Sequence, residues 1–226
     1  MKDEDFRDAN VNFRAVLAAL KREVKGSVDH HPVISYSDLR RIYGYFNTDT
    51  PTGLFYKVQM DIRLYIFRRG SENMHEMTVD TFCVETDSDT GRRYVSKNVD
   101  ELTKNHREAD KENIEGFMPE IPGNNICPVS TYIKYVSKFN KNCNRLRQRS
   151  KDSFHDDDEV WFCNVPVGKQ TLAGFISGLS KKLNLSKSYT NHRIRATGAI
   201  LLSRNQFGAA QIMSVTAIVQ YVCNYV

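Results

Sequence analysis

Residues 189–202 read YTNHRIRATGAILL. They set a histidine and two arginines, His192, Arg193 and Arg195, at the start of an apolar helical run, with Ser188, Thr190 and Asn191 leading into it. A helix meant only to pack could open without them. His192 and Arg195 stand three apart, so they share one helical face and can reach a single phosphate together. An arginine fork binds two phosphate oxygens at once and stays charged at any relevant pH. Arg193 points elsewhere, toward backbone phosphates or solvent. Taken alone, His192 reads as well as an ordinary capping residue, so the rest of the chain must supply the other parts of such a grip.

The chain has 226 residues, enough for one medium domain or one domain with an appendage. Hydrophobic residues make up 40% and charged residues 26%, the balance of a globular protein. No apolar stretch is long enough to span a bilayer, and no charged-then-apolar leader opens the sequence. Cys83, Cys127, Cys143, Cys163 and Cys223 are odd in number and contain no CxxC pair. Free thiols are therefore expected, with neither a disulfide framework nor a zinc module. The net charge of +5 is mildly favourable for nucleic acid, and without a patch it decides nothing.

Apolar periodicity predicts a helix from Asp5 to about Val24, through Phe6, Val11, Phe13, Val16, Leu17 and Leu20. A second helix is expected in SYSDLRRIYGYF, with Ser37 as its cap. Past the turn at Pro51 and Gly53, GLFYKVQMDIRLYIF predicts a long buried helix ending at Arg68–Arg69–Gly70. TVDTFCVE, DSDTG and RRYVS form a strand, turn and strand, and VDELTKN offers a third strand of a small antiparallel sheet. Residues 105–126 read as a loop. Helices resume in CPVSTYIKYVSKF, where Pro128 suits the first turn, in TLAGFISGLSKKLNL, in HRIRATGAILLSR and in AAQIMSVTAIVQYVCNYV. The expected class is mainly α with a small antiparallel β-sheet.

Five stretches in order, RRGSENMHEM, ELTKNH, ICPVSTYIKYVSKFN, VPVGKQTL and YTNHRIRATGAILL, give the chain a family likeness. Together they resemble the catalytic domain of a tyrosine recombinase, the phage-integrase-like fold. More narrowly, they are similar to the crypton-type recombinases and to the C-terminal domains of zinc-finger MYM-type and glutamine-rich nuclear proteins. The resemblance implies a catalytic domain over 35–226 and, in 1–34, a remnant of the family's N-terminal core-binding region or a linker helix. It implies double-stranded DNA as partner, self-association on DNA, a nuclear location, and recombination or integration through a covalent phosphotyrosyl link without metal or cofactor. By this resemblance Arg69 is the first phosphate-binding arginine, Glu72 braces its segment, and Lys104 protonates the leaving oxygen, with Lys97 its rival or a DNA contact. His192 and Arg195 are the second histidine–arginine pair, and Arg193 is a DNA contact.

The likeness fails at the end. In the family, a stretch like IMSVT runs into Gly-His, and the nucleophilic tyrosine follows at a fixed short distance. Here Ala217 and Ile218 follow, and that distance carries the nucleophile just past Val226. Tyr221 and Tyr225 are out of register, and Tyr225 could substitute only if the terminal segment repacks. A truncated chain, an altered end, and a decayed, domesticated enzyme are the three readings. In the last, the chain is a non-catalytic DNA- or protein-interaction module.

Other signals are weaker. VGKQT lacks the earlier glycine of a P-loop, since Cys163 stands there. HDDDE, 155–159, reads as a solvated acidic loop rather than a metal site. The run Arg145–Arg149 reads as an exposed helix end at the rim of a cleft. Trp161, Phe162, Tyr56, Tyr65 and Phe67 are assigned to the core.

Overall fold

The computed structural model describes residues 7–22, 33–67, 74–98 and 116–208. The chain divides into two units, Met1–Pro32 and Val33–Val226. Helix α1, Arg7–Arg22, is the described part of the first, and its Val11, Phe13 and Val16 are exposed. No helix among the described residues is long and apolar enough to cross a membrane.

The second unit is organised by one helix. α3, Pro51–Tyr65, starts where Thr50 accepts a hydrogen bond from the Gly53 N–H (3.2 Å) and Pro51 fills the first turn. Its apolar side chains feed two cores. Leu54, Phe55, Val58 and Ile62 pack with Tyr132, Tyr135 and Phe139 around α4, Pro128–Ser137, and with Trp161 and Phe162. Met60 and Leu64 pack with residues of α2, Tyr36–Tyr45, α6, Phe175–Lys182, and α7, Asn191–Arg204.

A helix buried on every side has no solvent face for its polar residues, so these must find partners. Lys57 and Asp61, one turn apart, form a buried ion pair, and Tyr43 donates to Asp61 Oδ1 (2.9 Å). Burial pushes the Asp61 carboxyl up, against the pull of Lys57. Arg63 donates to Gln59 O and Oε1 (both 3.0 Å) and to Leu172 O (3.2 Å). Burial, aided by the neighbouring Arg147 charge, holds Arg63 well below the usual arginine range.

The sheet pairs β1, Phe82–Thr86, β2, Arg93–Lys97, and β3, Met118–Pro119, in that order and antiparallel. Opposite residues share a face, so Phe82, Val95 and Met118 point into the core. β4, Gln148–Ser150, pairs separately with β5, Phe162–Pro166. A mainly helical chain with one small antiparallel sheet is thus what the chain forms, with this β-ribbon besides.

Five local expectations change. The α2 cap is Ser35, not Ser37: Ser35 Oγ accepts the Asp38 N–H (3.1 Å), which leaves Ser37 in the first turn. α3 ends at Tyr65 rather than at 68–70, because Phe67 takes a left-handed φ of 51° and turns the chain away. The third described strand comes from the stretch read as loop, while VDELTKN lies outside the described residues, as does the final apolar run. TLAGFISGLSKKLNL is broken at Gly174 into α5, Lys169–Ala173, and α6. The run Arg145–Arg149 is no exposed helix end: Leu146, Arg147 and Gln148 are buried and lead into β4, because the chain supplies acceptors for Arg147. Those acceptors are Gln59 Oε1 and Met74 O.

Candidate nucleic-acid interface

Where α3 ends, α7 and the chain at Gly116 come close to it. A Cβ on Gly198, three residues past Arg195 on α7, would lie 2.6 Å from the Phe67 ring and 2.8 Å from Leu64 O. Only glycine permits that contact between α7 and the end of α3. Gly116 is equally constrained, its absent Cβ falling 2.2 Å from Tyr65 O and 2.8 Å from the Phe67 ring. Phe67 is two residues before Arg69, and the segment holding Lys104 rejoins the described chain at Gly116. Arg69, Glu72, Lys104 and Tyr225 themselves lie outside the described residues.

The amino end of α7 is tied down by buried polar groups. Asn191 Oδ1 accepts the Ile176 N–H (3.3 Å), and its Nδ2 donates to Leu172 O (2.9 Å) and Ala173 O (3.0 Å). Tyr189 donates its hydroxyl to Asp38 Oδ2 (2.7 Å), and Ser186 reaches the same carboxylate through Oγ and N–H. Thr197 Oγ1 donates to Arg193 O (2.7 Å) and accepts the Ile34 N–H (3.0 Å). Burial pushes the Asp38 carboxyl up, but hydrogen bonds from Ser186, Tyr189 and Ser35 outweigh it and hold it below the usual range.

On this fixed turn His192 is exposed, while Arg195 is 6% exposed and sits within the α7 packing. Arg193 is half-buried, its guanidinium 5.6 Å from the Tyr189 ring centre and donating to Ser188 O (3.4 Å). The helix amino end adds backbone N–H donors and a partial positive charge, a setting suited to an anion. Lys97 closes β2 opposite Phe82 and is half-buried. Among the described residues no group of three His, Cys, Asp or Glu side chains could hold a metal ion. Asp156 and Asp157 are exposed.

The supports were not singled out from sequence. Asp38 and Tyr189 are 151 positions apart, and nothing local marks them as partners. Gly198 carried a signal, a glycine inside a helical run, which commonly marks close backbone approach.

No family model matches the chain, and no curated protein matches it. Among solved structures it is similar to a lambda integrase dimer bound to a COC′ core site, at 14% identity and a TM-score of 0.48 over 88% of this chain. That match spans 49% of the integrase, so the chain is about half its length. It is also similar to the Tn1549 transposon integrase in complex with circular intermediate DNA, at 14% identity and a TM-score of 0.47, covering 96% of this chain and 74% of that one. Against the same integrase with transposon right-end DNA, identity is 15% and the TM-score 0.49, over 96% and 73% of the two chains.

Proposed function

We propose that this chain is a duplex-DNA-binding domain of the tyrosine-recombinase kind, gripping a backbone phosphate with His192 and Arg195 together with Arg69 and Lys104. The reading is carried by the crowding at the end of α3, where Phe67, Gly116 and Gly198 meet. Phe67 stands two residues before Arg69 in the chain, and Gly198 three residues after Arg195. The order of the five resembling stretches adds to it, and the crypton-type affinity and a nuclear location are part of the same proposal.

Strand exchange is not expected from this chain. Ile218, where the family has histidine, can neither donate nor accept a proton. This favours a domesticated binding module, assembling on DNA as its relatives do. Duplex binding measured against salt tests the grip: affinity should fall as salt rises, and fall further in Arg69→Ala with Arg195→Ala. Affinity indifferent to salt, or unchanged in that double variant, defeats the proposal. A nicked suicide duplex tests the chemistry, and a covalent protein–DNA adduct would restore the enzyme.

A further inference from the structure

All 27 acidic residues of the chain precede Val160, yet seven of its 32 lysines and arginines follow it. Phe175, Ile176, Leu179, Leu185 and Tyr189 of this acid-free stretch pack with Leu39 and Ile42 of α2, and cations stand on both sides of the contact. Arg41 donates to Leu183 O (2.6 Å) and Asn184 O (3.1 Å) just past the end of α6. Lys182 lies 5.1 Å from the Tyr45 ring centre. Arg40, Lys181 and Lys187 are exposed on α2, on α6 and in the turn after it. On α2, α6 and the turn between α6 and α7 the only carboxylate is Asp38, 2% exposed and covered by Ser186 and Tyr189.

We propose that Arg40, Arg41, Lys181, Lys182 and Lys187 form a second phosphate-backbone contact for duplex DNA, separate from the His192–Arg195 grip and joined to it through Arg193. The proposal rests on the reading of duplex DNA as the ligand. Three features favour a DNA backbone. The cations stand on two helices and a short turn locked to each other, so they present a fixed array to a stiff, regularly charged partner. No acidic side chain on these elements is exposed to oppose it. The array continues to the amino end of α7, where Arg193 packs on Tyr189, whose hydroxyl binds Asp38 of α2. Contacts of this kind hold any sequence and fix the protein's position along the duplex.

Arg41 and Lys182 also hold the fold together, so the test leaves them in place. Binding of a short random-sequence duplex is followed by fluorescence anisotropy across a salt series. Lys181→Gln with Lys187→Gln should make the slope of log affinity against log salt shallower by about 1.8, at roughly 0.9 per released phosphate contact. Lys141→Gln with Arg149→Gln removes the same charge from exposed positions elsewhere and should leave the slope nearly unchanged. An unaltered slope in the first variant, or an equal loss in both, overturns the second contact while leaving the first grip intact. Failure of the unaltered chain to bind duplex even at low salt sinks the DNA reading itself. Tighter capture of poly-glutamate than of duplex at equal charge assigns the surface to an acidic protein instead, and overturns the proposal.

Discussion

Two arginine-bearing stretches, RLRQR at 145–149 and NHRIR at 191–195, look alike as strings and end in different situations. In the first, Arg147 is 1% exposed and donates inward to Gln59 Oε1 and Met74 O, and Arg145 donates to Glu76 O (2.7 Å). These guanidinium groups fasten the chain just after the Arg69 segment to the β4 edge. In the second, Asn191 fastens the turn to Leu172 O and the Ile176 N–H, Arg193 donates to Ser188 O, and Arg195 is buried. The difference is not in the basic residues. It lies in where the acceptor oxygens come from: distant segments for Arg145 and Arg147, the turn just before the helix for Arg193.

The strongest way to break this contrast is to remove Arg147. Arg147→Ala leaves Gln59 Oε1 and Met74 O short of a buried donor and opens a cavity, so stability should fall by about 3 kcal/mol or more in urea unfolding. A loss under about 1 kcal/mol would mean that the buried guanidinium is dispensable. Next in size is Gly198→Ala. Its new methyl must displace the Phe67 ring and the Leu64 carbonyl, and overpacking of this kind costs about 1–3 kcal/mol. Because the strain falls between α3 and α7, duplex affinity should drop as well. Unchanged affinity in a destabilised variant would separate the crossing from the grip.

Much of the fold was readable because it rests on local rules. The helical period and the β1–β2 hairpin each declare themselves within about a dozen residues, whereas the Pro51–Gly53 stretch read as a turn is the first turn of α3, capped by Thr50. Leu146–Gln148 was not readable, since its burial depends on acceptors on α3 and in residues 74–77 that only the tertiary fold brings near. The Ser35 cap was mistaken for a cause of the same kind: both serines suit a helix start, and the Asp38 contacts with Ser186 and Tyr189 belong to the packing. Of the site, the H-x-x-R spacing was legible and its scaffold was not. Asp38, Tyr189 and Asn191 read as unremarkable polar residues until their long-range partners are seen.

Asp38→Asn sharpens the contrast through pH. The folded carboxyl titrates below its ordinary value, so its charge stabilises the fold fully above the unfolded value, near pH 4, and that contribution is lost as pH falls through the folded one. Asparagine keeps one acceptor oxygen but loses the charge-assisted bonds from Tyr189 and Ser186, at a cost of about 1–2 kcal/mol at pH 7. The deficit should shrink as pH falls below about 4, where the unfolded carboxyl takes up its proton while the folded one still resists it, and vanish once the folded one is neutral too. A deficit constant from pH 7 to pH 3 would show that shape, not charge, does the anchoring.

The smallest effect belongs to the neighbour of the largest. Arg149, two residues past Arg147 and within β4, is exposed and meets Asp152 at 3.3 Å with both side chains largely in solvent. Water already satisfies both charges, and salt screens what attraction remains, so Arg149→Gln should change stability by less than about 0.5 kcal/mol. Regular strand alternation would set two residues this far apart on one face, but Arg147 lies just before β4 and the β4–β5 register shifts between Gln148 and Ser150, so one is buried and the other exposed. Measured side by side, a large loss at 147 and almost none at 149 would show that burial and available acceptors, rather than residue type, decide which arginine the fold depends on. Comparable losses at both would mean that the run acts through its summed charge, and the contrast with the α7 stretch would lose its basis.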